Sequence, residues 1–428
     1  MNLFPIKRCP NHCPYCLAQK FMDKKNETLS RENALEFIAF LRRNRKITGK
    51  PLNELNIMGG EPMLYKDLAW LIKKIQGNRN LLVGRFTIFT GGNFPMKNLE
   101  LLDEISDVDV CLNLNEKKIY HSDKVYKRII ANLQAMIDKK GLRVGLGYNI
   151  ASLDFNGDEI IATAKKFGID SLRIAIASPI YGVDNPNIVH PEQYKELSPK
   201  VFQFVKKCHA NSIDVNLDCT VPYCFFTDSQ CGWFTKHNQR GMLNGIRSCA
   251  CGFGPLCISP TLQVSKCTVL DEISTSLKLF SSAYEMYDAV LNSIDYKFGT
   301  PDLYPKCATC PHRTRCSGGC PAWKKGFLDG PDRNDITDKL VRLFEENISL
   351  YWDNIEKKDD ALHAKFLENE KSIREIVKNL PEPNDTRILY VLYLYYNRVR
   401  NYKKRKYYYR KCIHHGGAEE FFNFKTKD

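Results

Sequence analysis

Short apolar runs alternate with longer amphipathic segments over the first 215 residues of the chain. Six runs have the length and composition of buried strands, and they lie at 3–7, 54–58, 84–89, 108–114, 144–150 and 172–177. Segments with apolar residues at helical spacing separate them, among them 67–75, 126–139, 158–166 and one that begins at Ser30. This alternation predicts βα units and a parallel sheet. Six units indicate a partial (β/α)6 barrel of the TIM type.

Two further regions follow the predicted barrel. A run at 214–217 has the pattern of another strand, residues 216–330 are rich in cysteine, and residues 331–428 show helical periodicity. Segments 387–399 and 402–413 resemble one helical hairpin of the tetratricopeptide type. Such a hairpin docks on a neighbouring domain or holds a peptide, because one repeat cannot bury its own apolar face. We predict three domains: 1–215, 216–330 and 331–428.

Charge and cysteine content narrow the class of protein. The net charge of +14 permits an acidic partner, and residues 398–411 carry much of it as either a solvated helix face or a binding surface. No signal peptide precedes Cys9, and many of the 17 cysteines have ligand-like spacings. We therefore expect metal clusters in a reducing cytoplasm. The apolar run at 388–396 is too short to cross a membrane.

The densest group of cysteines is Cys9-Pro-Asn-His-Cys13-Pro-Tyr-Cys16, directly after the first predicted strand. Three thiolates cannot complete a tetrahedral shell around one metal ion without a further ligand. They can hold three irons of a four-iron cluster and leave the fourth iron open to a substrate. A fragment of a zinc site and coincidental thiols are the alternatives.

A second motif, Gly59-Gly60-Glu61-Pro62, ends the second predicted strand. Ligands of parallel α/β proteins bind at the carboxyl ends of the strands, where both motifs are predicted to lie. The glycines would let the backbone approach a ligand, and a backbone carbonyl or Glu61 can accept from a ligand ammonium.

Together, CxxxCxxC with Tyr15 before its last cysteine and the GGEP motif resemble the radical S-adenosylmethionine (SAM) enzymes. The resemblance implies that Cys9, Cys13 and Cys16 hold a [4Fe–4S] cluster whose open iron binds SAM. One electron, from a donor such as flavodoxin or ferredoxin, then cleaves SAM to methionine and a 5′-deoxyadenosyl radical. Further SAM contacts are implied at the strand ends, and the candidates are Tyr15, Asn113, Asn115 and Asn149, although asparagines also form turns and caps. The third strand ends Thr90-Gly91-Gly92, where the family often has Thr-Asn-Gly.

A second group of cysteines has the spacing CxxCx5CxxxC, at Cys307, Cys310, Cys316 and Cys320. The spacing indicates zinc or an iron–sulfur cluster without choosing between them. After a radical SAM core it resembles the SPASM domain, which holds two auxiliary four-iron clusters. The resemblance assigns the first cluster to Cys251, Cys257, Cys267 and Cys320.

The resemblance assigns the second auxiliary cluster to Cys307, Cys310 and Cys316, and no cysteine occupies the expected fourth position about twenty residues after Cys320. This cluster would have an open iron, use Cys249, Cys412 or a non-cysteine ligand, or be absent. Leu262 stands where the family has glycine. Cys219 and Cys224 are weak candidates for a catalytic thiol, against a purely structural role.

Three functions remain open from the sequence. The leading hypothesis is a SPASM-type maturase that crosslinks or dehydrogenates a peptide or protein, with auxiliary clusters accepting an electron. Within this class, Thr268 argues against a sulfatase maturase, which has an acidic residue at that position. An RNA-modifying radical SAM enzyme would use the basic, tyrosine-rich segment 398–411. A zinc-stabilised scaffold without enzymatic activity is the third possibility.

Overall fold

A computed structural model describes most of the first 298 residues and parts of the remainder. The described ranges are 1–16, 27–77, 81–177, 187–190, 193–219, 221–246, 256–268, 274–298 and 359–379, together with positions 310, 312, 316, 340, 343, 344, 346, 347, 350, 392, 393, 395, 396, 401 and 403–408. Most of the predicted tetratricopeptide-type hairpin lies outside these ranges.

The chain divides into two compact units. The first comprises Met1–Arg247 and Gly254–Val290, and the second comprises Ser248–Phe253 and Leu291–Asp428. The domain boundaries expected near residues 215 and 330 stay predictions. Among the described helices, none has both the length and the apolar character needed to cross a bilayer.

One ten-stranded sheet organises the first unit. Its strands are β1 (Asn2–Ile6), β2 (Leu52–Gly59), β3 (Val83–Thr90), β4 (Val108–Asn113), β5 (Arg143–Ile150), β6 (Ser171–Ile176), β7 (Asp214–Asp218), β8 (Cys257–Ile258), β9 (Gln263–Ser265) and β10 (Ser274–Ser276). Strands β1 to β7 are parallel neighbours in sequence order. The prediction of an α/β fold with a parallel partial barrel is confirmed. Beyond β1, β8 adds in parallel, and β9 and β10 follow antiparallel.

Helices lie between the parallel strands and continue after them. They are α1 (Arg31–Thr48), α2 (Leu68–Gln76), α3 (Glu100–Asp103), α4 (Asp123–Ile137), α5 (Asp158–Phe167), α6 (Tyr194–Ala210), α7 (Asp228–Lys236), α8 (Arg240–Gly245), α9 (Ala283–Phe298) and α10 (Asp360–Asn379). Helix α1 begins where the sequence predicts, because the Ser30 side chain accepts from the Asn33 N–H. It ends at Gly49, whose φ of 69° only glycine adopts without strain.

The two faces of the sheet differ in polarity. One face carries fully buried aliphatic residues such as Leu3, Leu55, Ile57, Ile88 and Leu112. The opposite face carries a row of register partners that are mostly polar, here called the polar row: Cys257, Asn2, Asn56, Thr87, Asp109 and Arg143. Buried Asp109 in this row forms ion pairs with Arg85 at 2.5 Å and with Arg143 at 2.6 Å.

Helix α8 packs closely on edge strand β7. A Cβ atom added to Gly241 would lie 2.6 Å from the Val215 carbonyl oxygen, and one added to Gly245 would lie 2.6 Å from the Leu217 carbonyl oxygen. The Gly245 carbonyl also accepts from the Val221 N–H at 3.0 Å. Two glycines four residues apart therefore let the helix backbone approach the strand backbone.

Gly241→Ala is expected to destabilise the protein by about 2 kcal/mol, because the new methyl group forces α8 away from β7. The matched control is Gly232→Ala in α7, where an added Cβ meets nothing within 4 Å. That change is expected to be neutral or slightly stabilising, since alanine is the better helix former. Urea unfolding of both variants measures the difference, and equal midpoints would contradict the close packing of α8.

Candidate active site

The three-cysteine loop leaves the carboxyl end of β1 and runs beside the end of β2. Backbone hydrogen bonds join the two segments, from the Gly60 N–H to the Ile6 carbonyl and from the Glu61 N–H to the Arg8 carbonyl, each 2.8 Å long. Within the loop, the Cys16 N–H donates to the Cys13 carbonyl at 3.1 Å. The two sequence motifs therefore meet at one edge of the sheet.

The glycines of the second motif are required by this contact. Gly59 has a φ of 124°, a backbone conformation that other residues rarely adopt. A Cβ atom on Gly60 would lie 2.1 Å from the Arg8 carbonyl oxygen. These glycines were predicted to let a ligand approach the backbone, and the structure shows that the cysteine loop approaches it.

Glu61 connects the ends of β2 and β3. Its side chain is fully buried and accepts from the Thr90 hydroxyl at 2.7 Å, the Gly91 N–H at 2.9 Å and the Met63 N–H at 3.1 Å. Burial raises the pKa of this carboxyl to about 7, and the three hydrogen bonds oppose the shift. Pro62 follows as the first residue of the short 3-10 helix Pro62–Leu64. Both oxygens of Glu61 therefore bind protein donors.

Glu61 makes the stability of the metal-free protein depend on pH. Its pKa rises from 4.5 in the unfolded chain to about 7 in the folded one, so the folded state binds the proton more tightly. The contribution of Glu61 to the free energy of unfolding is fully present below pH 4.5, and it is lost as the pH rises through 7. From pH 5 to pH 8 we expect a loss of about 2 kcal/mol in the free energy of unfolding.

Glu61→Gln is the control for this pH dependence, because its amide does not titrate. Denaturant unfolding at several pH values should show a flatter curve for the variant than for the wild type. Parallel curves for the two proteins would contradict the raised pKa of Glu61.

Asparagines brace the cysteine loop from the β3 side. Asn11, buried within the loop, donates to the Gly91 carbonyl at 3.2 Å, and Asn93 donates to the Pro10 carbonyl at 3.4 Å. A Cβ atom on Gly91 would lie 2.1 Å from Asn11 Nδ2. Gly91, at the position where the radical SAM family often has asparagine, therefore leaves room for the loop asparagine. The departure at Gly91 is visible in the sequence, but its partner Asn11 is not, because no spacing rule connects the two positions.

The ends of β4 and β5 complete the same edge. Asn115 Oδ1 accepts from the Asn149 N–H at 3.1 Å, and the Asn115 N–H donates to the Tyr120 hydroxyl at 2.9 Å. Tyr15 from the cysteine loop is buried here, and its side chain hydrogen-bonds to Asn149 and to Cys13. Burial is the main cause that raises the pKa of Tyr15. The structure thus brings together Tyr15, Asn115 and Asn149, all of which were predicted as site residues.

Asn113, the last residue of β4, presents an oxygen to which no described residue donates. Its Oδ1 is buried and has no hydrogen-bond partner among the described residues. Gly147 beside it is needed for this side-chain position, because a Cβ atom there would lie 2.2 Å from Oδ1. A buried, unpaired acceptor at the carboxyl edge indicates a ligand that donates a hydrogen bond.

The thiols of the loop suit soft metal ions. Cys9, Cys13 and Cys16 are partly buried. The pKa of the Cys13 thiol is raised to about 12, mainly by burial and secondly by the charge of the nearby Cys16. Within the described ranges, no three histidine, cysteine or acidic side chains converge as they would around a bound metal ion. Three thiols and an unpaired amide oxygen are the residue types that a cluster with a small polar ligand needs, and the ligand assignment stays a prediction.

Two predicted auxiliary ligands lie at the open end of the β8–β9 hairpin. Cys257 begins β8, Cys267 follows β9 by two residues, and the Thr268 N–H donates to the Cys257 sulfur. Burial raises the pKa of Cys257 to about 11. Leu262 in the turn has a φ of 61°, a conformation that favours glycine, and its side chain is fully buried. Burial of Leu262 compensates for this backbone strain.

Other predicted cysteines lie elsewhere or outside the described residues. Cys251, Cys307 and Cys320 lie outside them, as do Cys249 and Cys412. Cys310 and Cys316 belong to the second unit, where the N–H of buried Cys316 donates to the His312 carbonyl at 2.8 Å.

The two candidate catalytic thiols, Cys219 and Cys224, are exposed. Cys219 has a φ of 55°, and its N–H donates to Asp218 Oδ1 at 2.9 Å. Asp218 also accepts from Arg173 at 2.6 Å, and the Arg173 guanidinium lies 5.8 Å from the centre of the Phe89 ring. Sequence analysis missed the Arg173–Asp218 pair, since the two residues are 45 positions apart.

A parallel partial barrel with a cysteine loop at its carboxyl edge defines a class of cofactor-dependent α/β proteins. Residues 3–130 match the model of the Radical SAM superfamily, so this part of the chain is similar to radical SAM domains. This superfamily uses a [4Fe–4S] cluster and SAM. A search of curated proteins found no match.

Solved structures with the same fold include proteins crystallised with SAM and with peptides. Streptococcus suis SuiB bound to precursor peptide SuiA has a TM-score of 0.53 at 16% identity, over 74% of this chain and 71% of that chain. SuiB bound to SAM gives 0.51 at 18% identity, over 74% and 72%. The protein anSMEcpe with bound SAM gives 0.51 at 15% identity, over 74% and 88%. At these identities the similarity is one of fold.

Proposed function

We propose that this protein is a radical SAM enzyme that oxidatively modifies a peptide or protein by crosslinking or dehydrogenation. The observation that carries the proposal is the braced cysteine loop at the carboxyl edge of the sheet. Gly60 and Asn11 hold the loop there, and Tyr15 reaches from it to Asn149. Such bracing gives a cluster and a ligand fixed positions relative to the barrel.

The residues of this edge have different roles in the proposal. Cys9, Cys13 and Cys16 hold the cluster. Asn113 binds SAM, because its buried Oδ1 has no donor among the described residues. Asn115 and Glu61 already accept from protein groups and therefore shape the site.

The bound cofactors supply reductive cleavage of SAM to methionine and a 5′-deoxyadenosyl radical, which removes a hydrogen atom from the substrate. A two-electron oxidation then requires the substrate to lose one further electron and one proton. In the proposal Cys251, Cys257, Cys267 and Cys320 would hold a first auxiliary cluster, and Cys307, Cys310 and Cys316 would hold a second. Such clusters would supply an acceptor for that electron. The three predicted domains would separate barrel, auxiliary clusters and helical region.

Two observations support a peptide substrate. SuiB was crystallised with precursor peptide SuiA, and anSMEcpe was crystallised with the Cp18Cys peptide. The anSMEcpe peptide structure has a TM-score of 0.50 at 15% identity, over 74% of this chain and 88% of that chain. The net charge of +14 favours acidic partners. The proposal includes a cytoplasmic location and an electron donor such as flavodoxin or ferredoxin.

The test is metal analysis after anaerobic reconstitution, combined with an assay for 5′-deoxyadenosine in the presence of SAM and a reductant. About 12 irons per chain with 5′-deoxyadenosine would support three four-iron clusters, and about 8 would indicate one auxiliary cluster. Zinc without iron and without SAM cleavage would overturn the proposal in favour of the scaffold. Salt-sensitive binding of RNA would instead favour an RNA substrate.

A further inference from the structure

Exposed cations lie beside the cysteine loop, where helix α4 begins. Lys124, Lys127 and Arg128 belong to the first two turns of this helix, and all three side chains are exposed. Asp123, which precedes them, forms an ion pair with Lys117 at 3.0 Å. Within the described ranges, none of the three cations forms an ion pair of its own. Their positive charge is therefore available to an acidic partner.

Hydrogen bonds connect these cations to the cysteine loop. The Arg128 guanidinium donates to Asn93 Oδ1 at 3.1 Å, and the Asn93 amide donates to the Pro10 carbonyl within the loop at 3.4 Å. One helical turn further, buried Asn132 donates to the backbone carbonyls on either side of Asn93, at 2.8 Å and 2.9 Å. Two side chains of α4 thus fix the helix to the segment that braces the loop.

An exposed apolar side chain adjoins the same helix. Met96, which is 53% exposed, begins the 3-10 helix Met96–Leu99, and this short helix contacts α4. Lys97 beside it is exposed as well. The cysteine loop itself reaches solvent through the exposed His12. A protein that binds at the start of α4 would cover an apolar group and several cations close to the loop.

We infer that this surface docks a flavodoxin, which passes one electron to the cluster held by the cysteine loop. The inference rests on the proposed function, which includes such a donor. The docking surface consists of Met96, Lys97, Lys124, Lys127 and Arg128.

A flavodoxin fits this surface in charge and in polarity. It is an acidic protein, so the cations would steer it and fix its orientation. Its flavin exposes the apolar edge of the ring, and an apolar contact such as Met96 suits the centre of an interface. In the transfer the flavin is oxidised by one electron and the cluster is reduced by that electron, so no proton has to move. The hydrogen bonds between α4 and the loop would keep the docked donor at a constant distance from the cluster.

The experiment reverses two charges of the docking surface in the full-length protein. The double variant Lys124→Glu/Lys127→Glu is expected to fold, because acidic residues stabilise the start of a helix. The matched control is Lys165→Glu/Lys166→Glu, which makes the same change of charge at the exposed end of α5, at the opposite edge of the sheet. Isothermal titration calorimetry measures the affinity for flavodoxin before and after reconstitution, at low and at high salt. Formation of 5′-deoxyadenosine is then measured with reduced flavodoxin and with dithionite, a small reductant that needs no docking surface.

We expect Lys124→Glu/Lys127→Glu to weaken flavodoxin binding about tenfold at low salt, and high salt to remove most of the difference, because exposed charges are screened. Formation of 5′-deoxyadenosine with a limiting concentration of flavodoxin should fall about tenfold as well, whereas the rate with dithionite should equal that of the wild type. The control should change the affinity by less than about twofold.

Equal losses of affinity in the two double variants would show unspecific attraction by charge and would overturn the inference. Unchanged affinity in Lys124→Glu/Lys127→Glu would overturn it too, as would binding of a ferredoxin without binding of flavodoxin. If dithionite gives no 5′-deoxyadenosine with the reconstituted wild type, the proposed function falls and the inference falls with it. If dithionite gives 5′-deoxyadenosine and flavodoxin treats all variants alike, the proposed function stands and only the docking surface is disproved.

Discussion

Cys13→Ala is expected to abolish the formation of 5′-deoxyadenosine and to lower the iron content by about 4 atoms per chain. The physical reason is that two remaining thiolates cannot hold the cluster that presents an open iron to SAM. Cys13 is the central cysteine of the loop, and the Cys16 N–H donates to its carbonyl. The measurements are iron analysis after anaerobic reconstitution and chromatography of the SAM cleavage products.

Cys208→Ala is the control for this prediction. Cys208 is a fully buried thiol on α6, away from the loop, and its loss should change stability slightly while leaving the iron content as in the wild type. A Cys13→Ala protein with full iron content and full SAM cleavage would contradict the assignment of the loop. Loss of zinc in place of iron would support the scaffold.

Gly60→Ala is expected to destabilise the protein by about 3 kcal/mol and to displace the cysteine loop. The added methyl group would lie 2.1 Å from the Arg8 carbonyl oxygen, a backbone atom that cannot move without the loop. Iron retention should therefore fall together with the free energy of unfolding. Urea unfolding of the metal-free protein separates the two effects, because it reports packing without the cluster.

Gly145→Ala is the matched control in a parallel strand. A Cβ atom at this position of β5 would meet its nearest neighbour, the Ser171 carbonyl oxygen, at the ordinary contact distance of 3.4 Å. We expect a change within about 1 kcal/mol and an unchanged iron content. If Gly60→Ala resembled this control in both measurements, the close approach of β2 to the loop would be disproved.

Local patterns in the sequence predicted the elements that have a clear periodicity. The six long strands and helices α1, α2, α4 and α5 were predicted within a few residues because their apolar positions repeat with a fixed period. The cysteine loop and Gly59–Pro62 were placed at the carboxyl edge for the same reason. Strand β8 was missed, since two residues carry no period and its partner β1 is about 250 residues away.

Pairwise contacts within the site could not be read from spacing. Asn11 beside Gly91 and Asn2 beside Cys257 depend on which loops and strands become neighbours. Glu61 was identified as a candidate, yet its burial and its three protein donors emerged only with the fold. The sequence therefore predicted many residues of the carboxyl edge, but it did not predict which of them bind a ligand and which bind other protein groups.

Strand β1 lies between the cysteine loop and Cys257, one of the predicted auxiliary ligands, within the first unit of the protein. Asn2 at its start contacts Cys257, and the cysteine loop begins three residues after its last residue, Ile6. At about 3.3 Å per residue, the strand itself spans roughly 13 Å. The length of β1 thus sets the separation between the start of the cysteine loop and Cys257. Inserting a pair of residues into this strand would lengthen that separation without altering any cysteine.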